Sequence, residues 1–306
     1  MRIVVHGQQA FGKSVLEALL ERGEDIIAVY CAPEKEGQRP DPLQEAALAH
    51  DLPVYQPKSY RNKDVQAEFA ALNADLCVMA YVTLIVPEEV LNAPTHGTIQ
   101  YHPSLLPKHR GPSSINWPIM QGDAKTGLTI FWPDKGLDTG PILLTKEVPI
   151  QDTDTLGSLY FNHLFPMGVE SMLEAVDMVR NGTAPKIVQN ESQATYEGWC
   201  RKDDVQIDWT RPVQEVWNLI RGSDPQPGAW SPLNGQDVYL YDAKKHVGDT
   251  GGIPGQVTAV DADSFTVAAQ GGAIEVIRVR PEGGRKVAAE EFIGSTDLQP
   301  GARFGA

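Results

Sequence analysis

Gln100-Tyr101-His102-Pro103-Ser104-Leu105-Leu106-Pro107, read together with Gly136-Leu137-Asp138-Thr139-Gly140, decides how this chain is read. The first stretch closes a β-rich run, residues 97–101, with a histidine. Pro103 and Pro107 then hold the turn extended and lock its dihedrals. The second stretch follows another apolar run, 128–132, and sets an aspartate between glycines. Alone, a histidine before a proline turn reads as a structural hydrogen-bonder, and a Gly-bounded aspartate as an Asx turn. A His and an Asp each at the carboxyl end of a strand in an open α/β sheet would share one crevice. There the carboxylate can orient the imidazole and hold its charged form, the arrangement that acyl-transfer chemistry uses.

The flanking chain predicts such a sheet. Apolar strand runs at 2–6, 25–31, 52–55, 75–81, 98–101, 127–132 and 142–148 alternate with helical spacing at 13–21, 43–50, 64–72, a short stretch from 87, 114–120 and 155–180. Pro87 opens its helix at the position proline prefers. Strands alternating with helices give a mostly parallel, doubly wound α/β sheet. The texture then changes. Residues 183–204 are polar and aperiodic and read as a linker, leaving a first domain at 1–182. From 205 onward comes one helix, 211–222, and then short strands with Gly and Asp turns at 238–241, 254–260, 264–268 and 274–280. That pattern predicts a small C-terminal β-barrel of OB-like kind over 205–306.

Composition narrows the function. At 306 residues about two domains are expected, each able to bury its own core. No apolar stretch approaches the roughly 20 residues of a membrane span, and no signal peptide is visible. Cys31, Cys77 and Cys200 are scattered and odd in number, which reads as reduced thiols in a cytoplasmic protein. No metal site is expected, because His102 and His109 lack supporting ligands. The net charge of -14 disfavours nucleic acid, whose affinity rests on phosphate neutralisation.

Gly7-Gln8-Gln9-Ala10-Phe11-Gly12-Lys13-Ser14 fits the Walker A pattern, follows a strand and opens a helix. A phosphate-gripping loop there would make this an NTPase or kinase, the distant alternative. Against that reading, no apolar strand with a clean magnesium-binding aspartate accompanies it, since Pro133 interrupts the run before Asp134. The alternative is a tight structural turn in which Gly12 permits close backbone approach.

His-Pro-Ser-Leu-Leu-Pro followed by Gly-Leu-Asp-Thr-Gly resembles the signature of the 10-formyltetrahydrofolate-dependent formyltransferases. These include methionyl-tRNA and sugar N-formyltransferases and the hydrolase domain of 10-formyltetrahydrofolate dehydrogenase, which this chain most resembles. The similarity extends from Arg2 to about Trp230, through Asp41-Pro42-Leu43, Ser114-Ile115-Asn116-Trp117, Ile130-Phe131-Trp132 and Leu164-Phe165-Pro166. The resemblance implies a formyltransferase-like Rossmann variant and 10-formyltetrahydrofolate as co-substrate. His102 and Asp138 fall on catalytic positions, the histidine serving the oxyanion or the proton and the aspartate ordering a water. The third family position is an asparagine; here it is Gln100, one methylene longer, where the dehydrogenase domains carry an apolar residue. Tyr81, Leu84, Ile85 and Val86 would line the folate, and the loop with Asp134, Leu137 and Thr139 would close its other side. Ser104 and Arg110, with Lys108, would meet the folate tail or the acceptor.

Three acceptors are open: water, a small amine and aminoacyl-tRNA. The resemblance implies a basic second-strand loop in the tRNA enzymes. Here residues 32–42 hold Glu34, Glu36 and Asp41 against Lys35 and Arg39. Residues 203–306 hold nine Lys and Arg against fifteen Asp and Glu, a net of -6. The expected reaction is therefore formyl transfer to water or a small amine, with methionyl-tRNA as the alternative.

Overall fold

A computed structural model describes residues 1–34, 37, 39–249 and 251–305. In chain order the elements are β1 (Arg2–Gly7), α1 (Gln9–Glu21), β2 (Asp25–Cys31), α2 (Pro42–Ala49), β3 (Val54–Tyr55), α3 (Lys63–Ala71), β4 (Leu76–Ala80), α4 (Glu88–Leu91), β5 (Thr98–His102), α5 (Asn116–Gln121), β6 (Lys125–Phe131) and β7 (Ile142–Pro149). There follow α6 (Leu156–Leu159), a π-turn over Tyr160–Leu164, α7 (Phe165–Arg180), α8 (Val213–Gly222), β8 (Ala229–Leu233), β9 (Gln236–Val247), β10 (Val257–Val260), β11 (Phe265–Ala269), β12 (Gly272–Pro281), β13 (Val287–Ala288) and α9 (Ala289–Thr296).

Seven strands form one sheet in the order β3-β2-β1-β4-β5-β6-β7. From β3 through β5 every pairing is parallel, and β6 returns antiparallel to β5. Alternation along β1 separates the two buried faces. Val5 and Ile3 join Phe11, Leu16 and Met172 in one core, and Val4 joins Tyr30, Tyr60, Phe69 and Cys77 in the other. Helices therefore cover both faces, as the near-continuous apolar strands require.

Two local devices shape the helices. Asp41 caps α2 by accepting from the Leu43 amide at 2.9 Å, and the same carboxylate accepts from the Gln9 amide at the start of α1 at 2.9 and 3.0 Å. One acid thus satisfies two helix N-termini, where negative charge is favoured. The single helix expected over 155–180 is broken into α6, the π-turn and α7. Pro166 has no amide to donate and its ring collides with the preceding turn, so the helix widens just before it.

The chain divides into two compact units that do not follow chain order. The first comprises Met1–Gly111, Gly127–Val148 and Phe161–Tyr196; the second comprises Pro112–Thr126, Pro149–Tyr160 and the chain from Glu197. Residues 183–196, expected as linker, belong to the first unit. Ile187 and Ile142 exchange backbone hydrogen bonds at 2.8 and 2.9 Å, and the Arg110 amide donates to the Thr195 carbonyl at 3.1 Å. Within the second unit, Asn116 Nδ2 donates to the Gly222 and Gln226 carbonyls at 2.9 and 3.1 Å, and Arg221 Nη1 to those of Gln151 and Asp154 at 2.9 and 3.2 Å.

The second unit is built on an antiparallel sheet whose main path is β10-β11-β12-β9-β8, with β13 beside β12. The expected barrel is open: among the described residues β8 and β10 do not pair. The C-terminal tail spans the gap instead, where Phe304 bridges Leu233 and Arg303 bridges Gln256. Val213, Val216, Trp217 and Ile220 of α8 form one apolar stripe buried on this sheet, with Phe292 of α9 in the same core.

Candidate functional site

The register of β6 changes where the aspartate loop starts. His102 stands opposite Thr129 and Gln100 opposite Phe131. Because β6 is antiparallel, its end lies beside Gln100 rather than beyond His102, so Asp138 does not follow a carboxyl-edge strand end as expected. The loop 132–141 must double back to bring Asp138 to the histidine. His102 Nδ1 lies 3.7 Å from Asp138 Oδ2, and both residues are buried, at 5 % exposure each.

That spacing is too long for a direct hydrogen bond. The other ring nitrogen, Nε2, lies 2.9 Å from the His109 carbonyl. A carbonyl only accepts, so Nε2 carries the proton and Nδ1 is the ring atom left to exchange one. Asp138 Oδ2 accepts from the Gly111 amide at 2.8 Å, which fixes the carboxylate from behind. The pair is thus held by two backbone groups of one short segment, 109–111.

The aspartate loop is strained and tightly supported. Asp138 sits at φ 57°, a left-handed conformation that aspartate tolerates better than most residues. A Cβ on Gly140 would lie 1.8 Å from the Trp132 carbonyl oxygen, so only glycine lets the loop close. Asp134 Oδ1 accepts from the Gly136 amide at 2.9 Å and from Thr139 Oγ1 at 2.6 Å. Gln189 Nε2 donates to the carbonyls of Asp138 and Gly140 at 2.8 and 2.7 Å. Its Oε1 accepts from Arg110 Nε and Nη2 at 3.2 and 2.8 Å, and Arg110 also donates twice to Glu191, at 2.9 and 2.7 Å. The bond to Glu191 raises the Arg110 pKa, and the reciprocal bond lowers that of Glu191.

The Gly7–Ser14 stretch is not a phosphate loop. Helix α1 begins at Gln9, so Gly12, Lys13 and Ser14 lie inside it, and Asp41 already occupies its N-terminus. Lys13 Nζ faces Glu17 at 3.7 Å. Gly7 is there for contact: a Cβ would lie 2.3 Å from the Ala80 carbonyl oxygen of neighbouring β4. The tight structural turn is the reading that stands, and the distant NTPase alternative falls away. Beside this turn, His6 is buried against Tyr60, whose hydroxyl lies 2.8 Å from Nε2; burial lowers the His6 pKa to about 3.

Residues 1–176 match the formyl transferase family, and residues 200–296 match the C-terminal domain of formyl transferases. The chain belongs to the formyl transferase family. Among its relatives, mouse mitochondrial 10-formyltetrahydrofolate dehydrogenase is 42 % identical over 246 residues, which is 79 % of this chain and 26 % of that protein. The chain therefore spans about a quarter of the length of that dehydrogenase. A methionyl-tRNA formyltransferase of Stutzerimonas stutzeri is 39 % identical over 312 residues, covering 100 % of this chain and 98 % of that protein. Among solved structures, HypX of Aquifex aeolicus in complex with tetrahydrofolic acid superposes with a TM-score of 0.71 at 21 % identity, over 96 % of this chain and 47 % of that one. An N-formyltransferase of Helicobacter canadensis superposes with a TM-score of 0.69 at 19 % identity, over 94 % of this chain and 100 % of that one.

Within this formyl transferase the sequence-predicted residues fall into three groups. His102 and Asp138 are brought together, and Gln100 lies two residues before His102 on the same face of β5. Tyr81, Leu84, Ile85 and Val86 lie in the irregular segment after β4, whose amides are not committed to a helix or strand. Tyr81, Ile85 and Leu137 are exposed, Ile85 at 73 %, while Leu84 and Val86 rest on the core below. Such apolar surface with available backbone groups suits a flat heteroaromatic ligand. Ser104 and Arg110 differ from expectation. Both are buried: Ser104 Oγ donates to the Lys108 carbonyl at 2.7 Å, and Arg110 is engaged by Gln189 and Glu191, so neither presents itself to a substrate. The charge contrast at 32–42 resolves in part. Asp41 is a double cap and Glu34 accepts from Gln44 at 2.6 Å, whereas Lys35 and Glu36 lie outside the described residues. Sequence reading missed Gln189, Glu191 and Thr195, which sit in a polar stretch without periodicity.

Proposed function

We propose that this formyl transferase moves the formyl group of 10-formyltetrahydrofolate to water or a small amine. The observation that carries this reading is the buried pair of His102 Nδ1 and Asp138 Oδ2, 3.7 Å apart, with Nε2 already committed to the His109 carbonyl. The acceptor oxygen or nitrogen attacks the formyl carbon, a bond forms, and the carbonyl becomes an oxyanion. Nδ1 of His102 exchanges the proton that leaves the acceptor and reaches N10 as the C–N10 bond breaks. Asp138 supports the charged ring during that exchange, and the Gln100 amide stabilises the oxyanion. The exposed Tyr81, Ile85 and Leu137 receive the pterin. The buried thiols of Cys31 and Cys77, whose burial pushes both pKa values up to about 12, suit a reducing cytoplasm.

Full-length similarity to a methionyl-tRNA formyltransferase favours a second reading, with initiator tRNA as acceptor. The charges of the second unit weigh against it. Lys202 pairs with Asp237, Arg211 with Glu215, Lys245 with Asp152, Arg278 with Asp242 and Arg285 with Glu291, so much of its basic complement is already neutralised. Incubation with 10-formyltetrahydrofolate, alone, with candidate amines and with methionyl-tRNA, tests the choice. Formate or formylated amine is the expected product; efficient, salt-sensitive formylation of methionyl-tRNA would establish the second reading.

A further inference from the structure

Both partners of the His102–Asp138 pair are held by one stretch of chain that has no part in the chemistry. His109 and Gly111 supply the groups that fix His102 Nε2 and Asp138 Oδ2. The 109–111 segment is itself fixed by Thr195: the His109 amide donates to Thr195 Oγ1 at 2.8 Å and the Arg110 amide to the Thr195 carbonyl at 3.1 Å. Six residues earlier, Gln189 holds the other arm by donating to the Asp138 and Gly140 carbonyls. The guanidinium of buried Arg110 ties the two arms together through Gln189 Oε1. The amide orientation is forced, because carbonyls only accept and guanidinium only donates. Asp138 stands in a left-handed conformation, which persists only where its surroundings over-determine it.

We propose that residues 189–195 are a strap that sets the spacing of the His102–Asp138 pair, with Gln189 its principal positioning residue. The inference rests on the formyl-transfer reading of that pair and adds what keeps it in register. Gln189 touches no reacting atom; it acts by holding the Asp138 loop at the distance from His102 that Arg110 and Thr195 define. A strap of this kind makes turnover sensitive to a residue outside both sequence motifs.

The test is a double-mutant cycle. Gln189→Leu keeps the volume and removes the bonds to both loop carbonyls and to Arg110. Turnover at saturating 10-formyltetrahydrofolate should fall roughly a hundred-fold, the scale of a 1 Å misplacement, while KM stays within a few-fold. In an Asp138→Asn background the same change should cost no more than about two-fold, because the charge it positions is gone. Equal losses in both backgrounds would mean a merely structural role and would overturn the proposal. Should Gln189→Leu fail to fold, Gln189→Glu keeps the Arg110 contact and sets a carboxylate against the two carbonyls; the same non-additivity is expected. If the wild-type protein has no turnover, the formyl-transfer reading fails by itself. The strap is then judged by crystal structures of wild type and Gln189→Leu. Widening of the His102–Asp138 spacing beyond one bridging water supports it, and an unchanged 3.7 Å refutes it.

Discussion

Replacing Asp138 by asparagine removes a charge and little else. The asparagine oxygen can still accept from the Gly111 amide, and asparagine, like aspartate, tolerates the φ of 57° at this position. The fold should therefore survive, with a change in melting temperature of only a few degrees, the shift expected for about 1 kcal/mol. The chemistry should not survive so well. A charged imidazole 3.7 Å from a carboxylate gains about 4–5 kcal/mol at an effective dielectric of about 20. At about 1.4 kcal/mol per decade that sets a ceiling of somewhat over a thousand-fold on the rate. Solvent reaching the open site during turnover takes part of it, so a loss on the order of a hundred-fold or more is expected in kcat. The assay follows tetrahydrofolate formation from 10-formyltetrahydrofolate at saturation, beside a thermal melt of the same preparation. Activity within a few-fold of wild type, with the melt unchanged, would refute the argument and leave Asp138 as a loop residue whose role is to accept from Gly111.

Further predictions follow from other parts of the molecule. His6 is buried neutral with its pKa lowered to about 3, so between pH 6.5 and 3 the unfolded chain takes up a proton that the folded unit refuses. Stability should fall as pH drops through that window, by about 3 kcal/mol from this group at pH 4.5, and His6→Gln should flatten the urea-midpoint profile; parallel profiles would count against it. Lys13→Ala should leave folate-dependent turnover nearly intact, and ATP with magnesium should not raise the melting temperature; ATP binding abolished by this substitution would restore the phosphate-loop reading. Gln100→Asn shortens the amide arm by one methylene and should shift the product ratio from formate toward formylated amine, measured by product analysis. An unchanged ratio would show that this side chain does not choose the acceptor.

Much of this architecture is legible in the sequence, and for physical reasons. Buried parallel strands such as Asp25–Cys31 must be apolar throughout, so they announce themselves. Proline and glycine bound the His102 and Asp138 segments because the backbone there has few alternatives. Direction is harder to read. Nothing in the apolar run 127–132 distinguishes an antiparallel strand from a parallel one, so the doubling back of the Asp138 loop emerges only from register. The Walker pattern misleads because it specifies residue types, whereas phosphate binding needs free amides at a helix start, and Asp41 takes that position. Pro232 hides β8, an edge strand where a missing donor is tolerated. Gln189 reads as linker and Arg110 as a substrate contact, because a polar residue outside a periodic run carries no burial signal; hydrogen bonds across 79 residues of chain are what bury them.

That His102 carries the acceptor's proton to N10 is tested most directly by single-turnover formation of tetrahydrofolate in wild type and His102→Ala, with tetrahydrofolate binding measured on both. Turnover is expected in wild type, with none detectable in the variant and comparable binding in both. Undiminished turnover in His102→Ala would contradict it.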